Sequence, residues 1–130
     1  MKLLVAETGS DLAAELWAAP YPVASSILAY PEGRAALAAA RRLGRLEHQA
    51  HQEALEEFEA VYAELITVGI DERLAGRAGE CAERLGLRGH DAVHLTTALE
   101  LGDEEVVLVT WDRDFARAGE EVGLALAGFG

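Results

Sequence analysis

Short β-type runs alternate with longer stretches of helical periodicity along this chain. Val23-Ala-Ser25, Ile66-Thr-Val-Gly-Ile70, Val106 to Thr110 and Leu124–Ala127 are the strand candidates. Between them lie helices with readable ends. Ser10 or Asp11 caps a helix through about Ala18, with Leu12 and Leu16 facing inward, and Pro20 and Pro22 end it. Ile27 to Leu43 is helical apart from Pro31. A proline is costly inside a helix and welcome in its first turn, so the helix bends at Pro31 or effectively begins there. Both choices leave Glu32 near the end of the preceding strand. Gly44 breaks this helix. Leu46 to Leu65 follows as a long amphipathic one, with Leu55, Phe58, Val61 (or Tyr62) and Leu65 at helical spacing. Asp71 caps a helix whose stripe is Leu74, Ala78, Cys81, Ala82 and Leu85, and Gly86 closes it. A short helix runs from about His90 to Leu101, and another follows the third strand through about Glu121. Residues 1–8 read as the tail of a helix closed by Gly9. Strands alternating with helices imply an α/β fold: one domain over residues 1–130, with a doubly wound, mostly parallel sheet flanked by helices.

Composition narrows the function. The chain has 130 residues, 51% of them hydrophobic, which suits one domain with an ordinary core. The formal net charge of −12 argues against broad, non-specific nucleic-acid binding, which feeds on excess Lys and Arg. It does not exclude a nuclease that gathers a few arginines around a metal site, and it suits a basic partner segment. The single cysteine, Cys81, makes no internal disulfide and reads as a buried thiol in a reducing cytosol. Met1 to Ala6 is too short an apolar run for a signal peptide, and no run approaches membrane-spanning length. The expected location is cytoplasmic.

The candidate chemistry sits in two stretches. In Gly86 to Leu95 the carboxylate of Asp91 stands at a glycine-flanked helix entry. In Thr110 to Phe115 a strand end is followed by Asp112 and Asp114. The crevice outside the carboxyl ends of the strands is where an α/β sheet keeps a ligand. Acids gathered there repel one another, so a hard cation, Mg²⁺ or Mn²⁺, is their natural partner. Glu32, Asp91, Asp112 and Asp114 form the candidate set, each of which is singly explained as a helix cap or first-turn acid. Thr110 places a hydroxyl to hold a metal-bound water or a phosphate oxygen, or simply completes a strand as a β-branched residue. His90 and His94 are four apart, a zinc-clamp spacing. With no third ligand and no glutamate general base of the zinc-protease type, His94 fits packing or hydrogen bonding better, and His90 lies near Asp91 within reach of substrate. Arg34, Arg41, Arg42 and Arg45 concentrate positive charge in an acidic chain. Arg34, Arg41 and Arg45 share roughly one helix face that can meet RNA phosphates or an acidic partner surface, while Arg41 and Arg42 fit a solvated face with Glu–Arg pairs. No Gly-rich phosphate loop, Ser/His/Asp arrangement or aromatic stacking surface is present.

The segments AYPEGRAAL, RGHDAVHL and LVTWDRDF, in this order, resemble the PIN-domain ribonucleases of the VapC toxin type. The resemblance runs over nearly the whole chain. It implies Mg²⁺- or Mn²⁺-dependent hydrolysis of RNA phosphodiesters, with metals held by Glu32, Asp91 and Asp112 and assisted by Asp114. It also implies a cognate antitoxin, a homodimer, and a helical pair over 27–65 that serves both contacts. The family commonly has Ser or Thr where Thr110 stands. One element has no counterpart: the family begins with an apolar strand ending in an aspartate. Lys2 to Glu7 resembles the second half of the helix after it, which places Glu7 and Asp11 too far along to replace the aspartate. The resulting expectation is a sheet lacking its N-terminal central strand, a natural start roughly a dozen residues earlier, and weak or no nuclease activity from the chain as it stands. The chief rival is a non-catalytic PIN-like module that binds an antitoxin or dimerises without cleaving. A receiver-like signalling domain is a third reading, disfavoured because no lysine follows Lys2.

Overall fold

The computed structural model describes residues 2–6, 21–44, 47–101, 105–110 and 112–127. Among them are five strands, β1 (Lys2–Ala6), β2 (Val23–Ser26), β3 (Ile66–Val68), β4 (Glu105–Val109) and β5 (Ala125–Ala127). The helices are α1 (Ala29–Arg42), α2 (His48–Glu64), α3 (Glu72–Leu85), α4 (Gly89–Glu100) and α5 (Arg113–Glu121). All strand pairs are parallel, in the order β3-β2-β1-β4-β5. The chain therefore winds outward from β1 to β3, then returns to lay β4 and β5 on the other side. That reversal is a switch point between β1 and β4, where doubly wound sheets open a crevice.

The sheet corrects one expectation. Lys2–Ala6 is not the end of a helix but β1, the central strand, paired with β2 through Leu4↔Val23 and Val5↔Ala24 and with β4 from Lys2↔Glu105 to Ala6↔Val109. The central strand is thus present, and the expectation of a sheet without it falls. The physical reason lies in pairing and burial. A helical fragment this short is marginal in water, whereas a central strand joins hydrogen-bond ladders on both edges and buries both faces. Val5 and Ala6 are 2% and 1% exposed.

Alternation along β1 sorts the core into two layers. Val5 faces one side with Ala24, Leu108, Cys81, Leu95, Ala98, Phe115 and Ala118. Leu4 and Ala6 belong to the other, with Val23, Val61, Leu65 and Tyr62. Helices α3, α4 and α5 thus cover one face, and α2 packs on the opposite one, as a parallel sheet requires. Gly119 lets α5 approach closely: a Cβ there would lie 2.9 Å from Leu108 Cδ2 and 3.1 Å from Leu126 Cδ2.

Most helix ends follow their sequence signals. Asp71 accepts the Leu74 amide at 2.8 Å, and Gly86 ends α3 at φ 68°. Gly44 closes the loop after α1 at φ 74°. Pro31 sits in the first turn of α1, which resolves the bend-or-begin alternative in favour of a start near the proline. Cys81 is a buried free thiol. Among the described residues no helix is long and apolar enough to cross a membrane. The helix expected from Ser10 or Asp11 to Ala18 lies outside the described residues, as do Glu7, Arg45, Leu46 and Trp111.

Candidate metal centre

Because every strand is parallel, their carboxyl ends share one edge of the sheet. The chain leaving β2 turns through Ile27 and Leu28 into α1, whose first turn carries Glu32. The chain leaving β4 passes through Thr110 to Asp112, the N-cap of α5. Asp91 enters from α4, in that helix's first turn.

Each acid is dressed by protein donors. Glu32 Oε1 lies 2.6 Å from Nε2 of His94, a contact that joins α1 to α4 across 62 positions of sequence. The His94 side chain is 3% exposed and that of Glu32 is 28% exposed. Asp91 is a buried carboxylate. Arg88 Nε donates to its Oδ2 at 3.2 Å, and His90 Nε2 stands 3.4 Å from its Oδ1. Asp112 Oδ1 accepts the amides of Asp114 at 2.9 Å and Phe115 at 3.1 Å. Asp114 itself is exposed, 3.7 Å from Arg117. Among the described residues, no group of three or more His, Cys, Asp or Glu is arranged to hold a metal ion. Each carboxylate instead has a cation, an imidazole or a helix N-terminus as partner.

The remaining sequence candidates take definite places. Thr110 is fully buried, and its Oγ1 accepts the Asp112 amide at 3.0 Å, which shapes the turn that presents Asp112. Arg34 is turned toward α2: its Nη1 lies 3.0 Å from Glu59 Oε1 and 3.1 Å from the Tyr30 hydroxyl. These hydrogen bonds, that to Glu59 foremost, raise its pKa further above the usual arginine value. Tyr30 also donates to Glu59 at 2.6 Å, and its ring packs against Phe58 and Tyr62 at centroid distances of 5.7 and 5.0 Å. Arg34 therefore clasps the helical pair. Arg41 meets His48 at 2.9 Å across the α1–α2 connection. His90 is exposed at the mouth, beside Asp91.

Two residues emerge that sequence reasoning placed only loosely. His94 was assigned to hydrogen bonding without a partner, and its partner is Glu32. Its spacing one helical turn after Asp91 was the available signal. Ser25, fully buried, donates to the Ala6 carbonyl at 2.8 Å and so secures the carboxyl end of β1 to β2. No sequence signal separated it from Ser26, whose Oγ accepts the Leu28 amide at 3.2 Å.

The donor set is oxygen-only: three carboxylates on structured elements, one of them buried, with Asp114 close by. That chemistry fits a hard divalent cation and not a thiophilic one.

Known proteins bear on this geometry. Residues 1–121 match the PIN domain family. Ribonuclease VapC49 of Mycobacterium tuberculosis (strain ATCC 25618 / H37Rv) is 41% identical over 127 residues, covering 98% of this chain and 88% of that protein. Ribonuclease VapC45 of the CDC 1551 / Oshkosh strain shows the same identity and coverage. Among solved structures, PAE2754 from Pyrobaculum aerophilum superposes with a TM-score of 0.75 at 23% identity, covering 96% of this chain and 82% of that one. VapBC2 from Rickettsia felis, bound to a DNA fragment from its promoter, gives 0.64 at 14% identity over the full length of both chains. The sheet, the helices on its two faces and these matches place the chain in the PIN-domain family.

Proposed function

We propose that this chain is the toxin component of a toxin–antitoxin pair, a metal-dependent endoribonuclease that hydrolyses RNA phosphodiester bonds. The observation that carries the reading is the Glu32–His94 contact: it brings an acid from α1 against the helix that carries Asp91. The β4 exit presents Asp112 at the same edge of the sheet. The relatives named as VapC ribonucleases supply the reaction class, and the VapBC neighbour supplies the antitoxin partner.

Glu32, Asp91 and Asp112 would hold Mg²⁺ or Mn²⁺, with Asp114 assisting. When bound, the cation supplies an activated water and neutralises charge developing on the phosphodiester. The chain's own residues set the stage. Thr110 and the first amides of α5 fix the Asp112 carboxylate. Arg88 and His90 flank Asp91 from the solvent side, where they would receive a phosphate. Arg34 serves this reading as a clasp on α1, keeping the helix that bears Glu32 against α2. The protein acts in the cytoplasm, as a homodimer.

The rival, a non-catalytic module, draws on one observation: among the described residues no three of His, Cys, Asp or Glu are grouped to hold a metal ion. A nuclease assay decides between them. We expect cleavage of single-stranded RNA in Mn²⁺, abolished by EDTA and reduced at least about 100-fold by Asp91→Asn, on the scale of about 10²–10³ that loss of one preorganised oxyanion-hole donor costs in rate. Wild-type protein that folds, binds its antitoxin and cuts no RNA in millimolar Mn²⁺ would establish the rival.

A further inference from the structure

The motif His90-Asp-Ala-Val-His94 contains a buried histidine that the proposed reaction does not use. His94 sits on α4 in the core, with its Nδ1 enclosed and without a hydrogen-bond partner among the described residues. Its Nε2 lies 2.6 Å from Glu32 Oε1. The ring's protonation follows from these two facts. A proton on Nδ1 alone would leave a buried donor unmet and set the bare Nε2 lone pair against a carboxylate oxygen. A proton on Nε2 makes the short contact a charge-assisted hydrogen bond. The imidazole is therefore a fixed donor aimed at one acid.

We infer that His94 is a positioning residue: it holds the Glu32 carboxylate in the orientation that meets a divalent cation, one helical turn along α4 from Asp91. The inference rests on the metal-site reading above. Three observations support it. The contact is a hydrogen bond between the first turn of α1 and α4. The ring is held by burial on every other side, so its direction is set by the fold and not by solvent. Glu32 and Asp91 carry like charge, and a donor hydrogen-bonded to Glu32 offsets the cost of bringing the two toward one cation. A partner hydrogen-bonded behind a ligating carboxylate orients it, and removing such a partner typically weakens metal binding about 10–100-fold.

The test measures Mn²⁺ affinity directly, by the electron paramagnetic resonance signal of free Mn²⁺, on wild type, H94L, H94Q and E32Q. Leucine keeps approximately the bulk without a donor, and glutamine returns an amide N–H near the position of Nε2. We expect H94L to weaken binding about 10-fold or more, E32Q to weaken it at least as much, and H94Q to recover to within about 3-fold of wild type. H94L that binds as wild type does, or H94Q as weak as H94L, overturns the positioning role, because packing alone then accounts for the histidine. Should H94L fail to fold, the wild-type imidazole ¹⁵N resonances decide. We expect the Nε2–H tautomer, with an Nε2 shift on adding Mg²⁺, and an unmoved Nε2 overturns the inference. Wild-type protein with no Mn²⁺ affinity, indistinguishable from E32Q, sinks the metal-site reading itself and this inference with it.

Discussion

Asp112 has two jobs that chemistry can separate. As the N-cap of α5 its Oδ1 accepts two amides, at 2.9 and 3.1 Å. As a candidate ligand it needs a negative charge. Asn caps helices as well as Asp does, while Ala cannot cap at all. Losing the cap costs about 1 kcal/mol, within a range of roughly 0.5–2. Here the upper half applies, because the second amide belongs to Phe115, which is 1% exposed and anchors α5 in the core. The charge at the helix N-terminus adds about 0.3–1 kcal/mol, which both substitutions forfeit. In EDTA, Asp112→Ala should therefore cost about 2 kcal/mol and Asp112→Asn about 0.5 kcal/mol. For a domain of this size that is a difference of roughly 5 °C in Tm. Mn²⁺ at 100 times its Kd should stabilise the wild type by about 2.7 kcal/mol, and both variants should lose most of that gain. Thermal melts with EDTA and with Mn²⁺ read both effects. Equal losses for Asn and Ala in EDTA would refute the capping account, and a full Mn²⁺ gain in Asp112→Asn would refute the ligand role.

Mg²⁺ or Mn²⁺ should raise the wild-type Tm, and Asp91→Asn should shrink the gain; an unchanged melting curve in millimolar Mn²⁺ counts against the site. The amides of β1 should be among the slowest to exchange with deuterium, because the strand is paired on both edges; exchange as fast as an exposed loop would show that Lys2–Ala6 is not the central strand. Glu100 sets a pH limit. Hydrogen bonds from Arg73 above all, joined by the charges of Arg73 and Arg77, hold its carboxyl below the usual carboxylate range. A depressed folded-state pKa gives stability that is present above the unfolded pKa and lost as pH falls through the folded one. Glu100→Gln should accordingly flatten the acid side of the stability profile below about pH 4.5, and an unaltered profile would show that the α3–α4 ion pairs do not contribute.

The parts of the fold that were legible in the sequence are those set by local chemistry. Asp71 and Gly86 bracket α3 because a cap oxygen and a left-handed residue act within one turn of the chain. Pro31 places the start of α1 for the same reason. β1 was misread because Lys2–Ala6 is too short to show whether its period is two or 3.6, and its likeness to part of a family helix favoured the wrong answer. What makes it a strand is the pairing with β2 and β4, and β4 lies a hundred residues further along the chain. The candidate acids were legible one at a time, since each follows a strand or opens a helix. Their partners were not. Nothing near Glu32 in sequence points to His94, and nothing near Arg34 points to Glu59.

The position of β1 also changes what the carboxyl edge can present. With β1 central, Ala6 stands level with Val109 of β4, and Ser25 of β2 fastens the Ala6 carbonyl from the other side. β1 and β4 thus end at adjacent points at the switch of winding direction, where doubly wound sheets open a crevice. Glu7 is the residue that follows β1 in the chain. The expectation that Glu7 lies past a helix falls with that helix, because Lys2–Ala6 is a strand. Glu7 is the first carboxylate in the chain after the central strand. Glu7→Gln should lower Mn²⁺ affinity as Asp112→Asn does; unchanged affinity would leave the centre to Glu32, Asp91 and Asp112 alone.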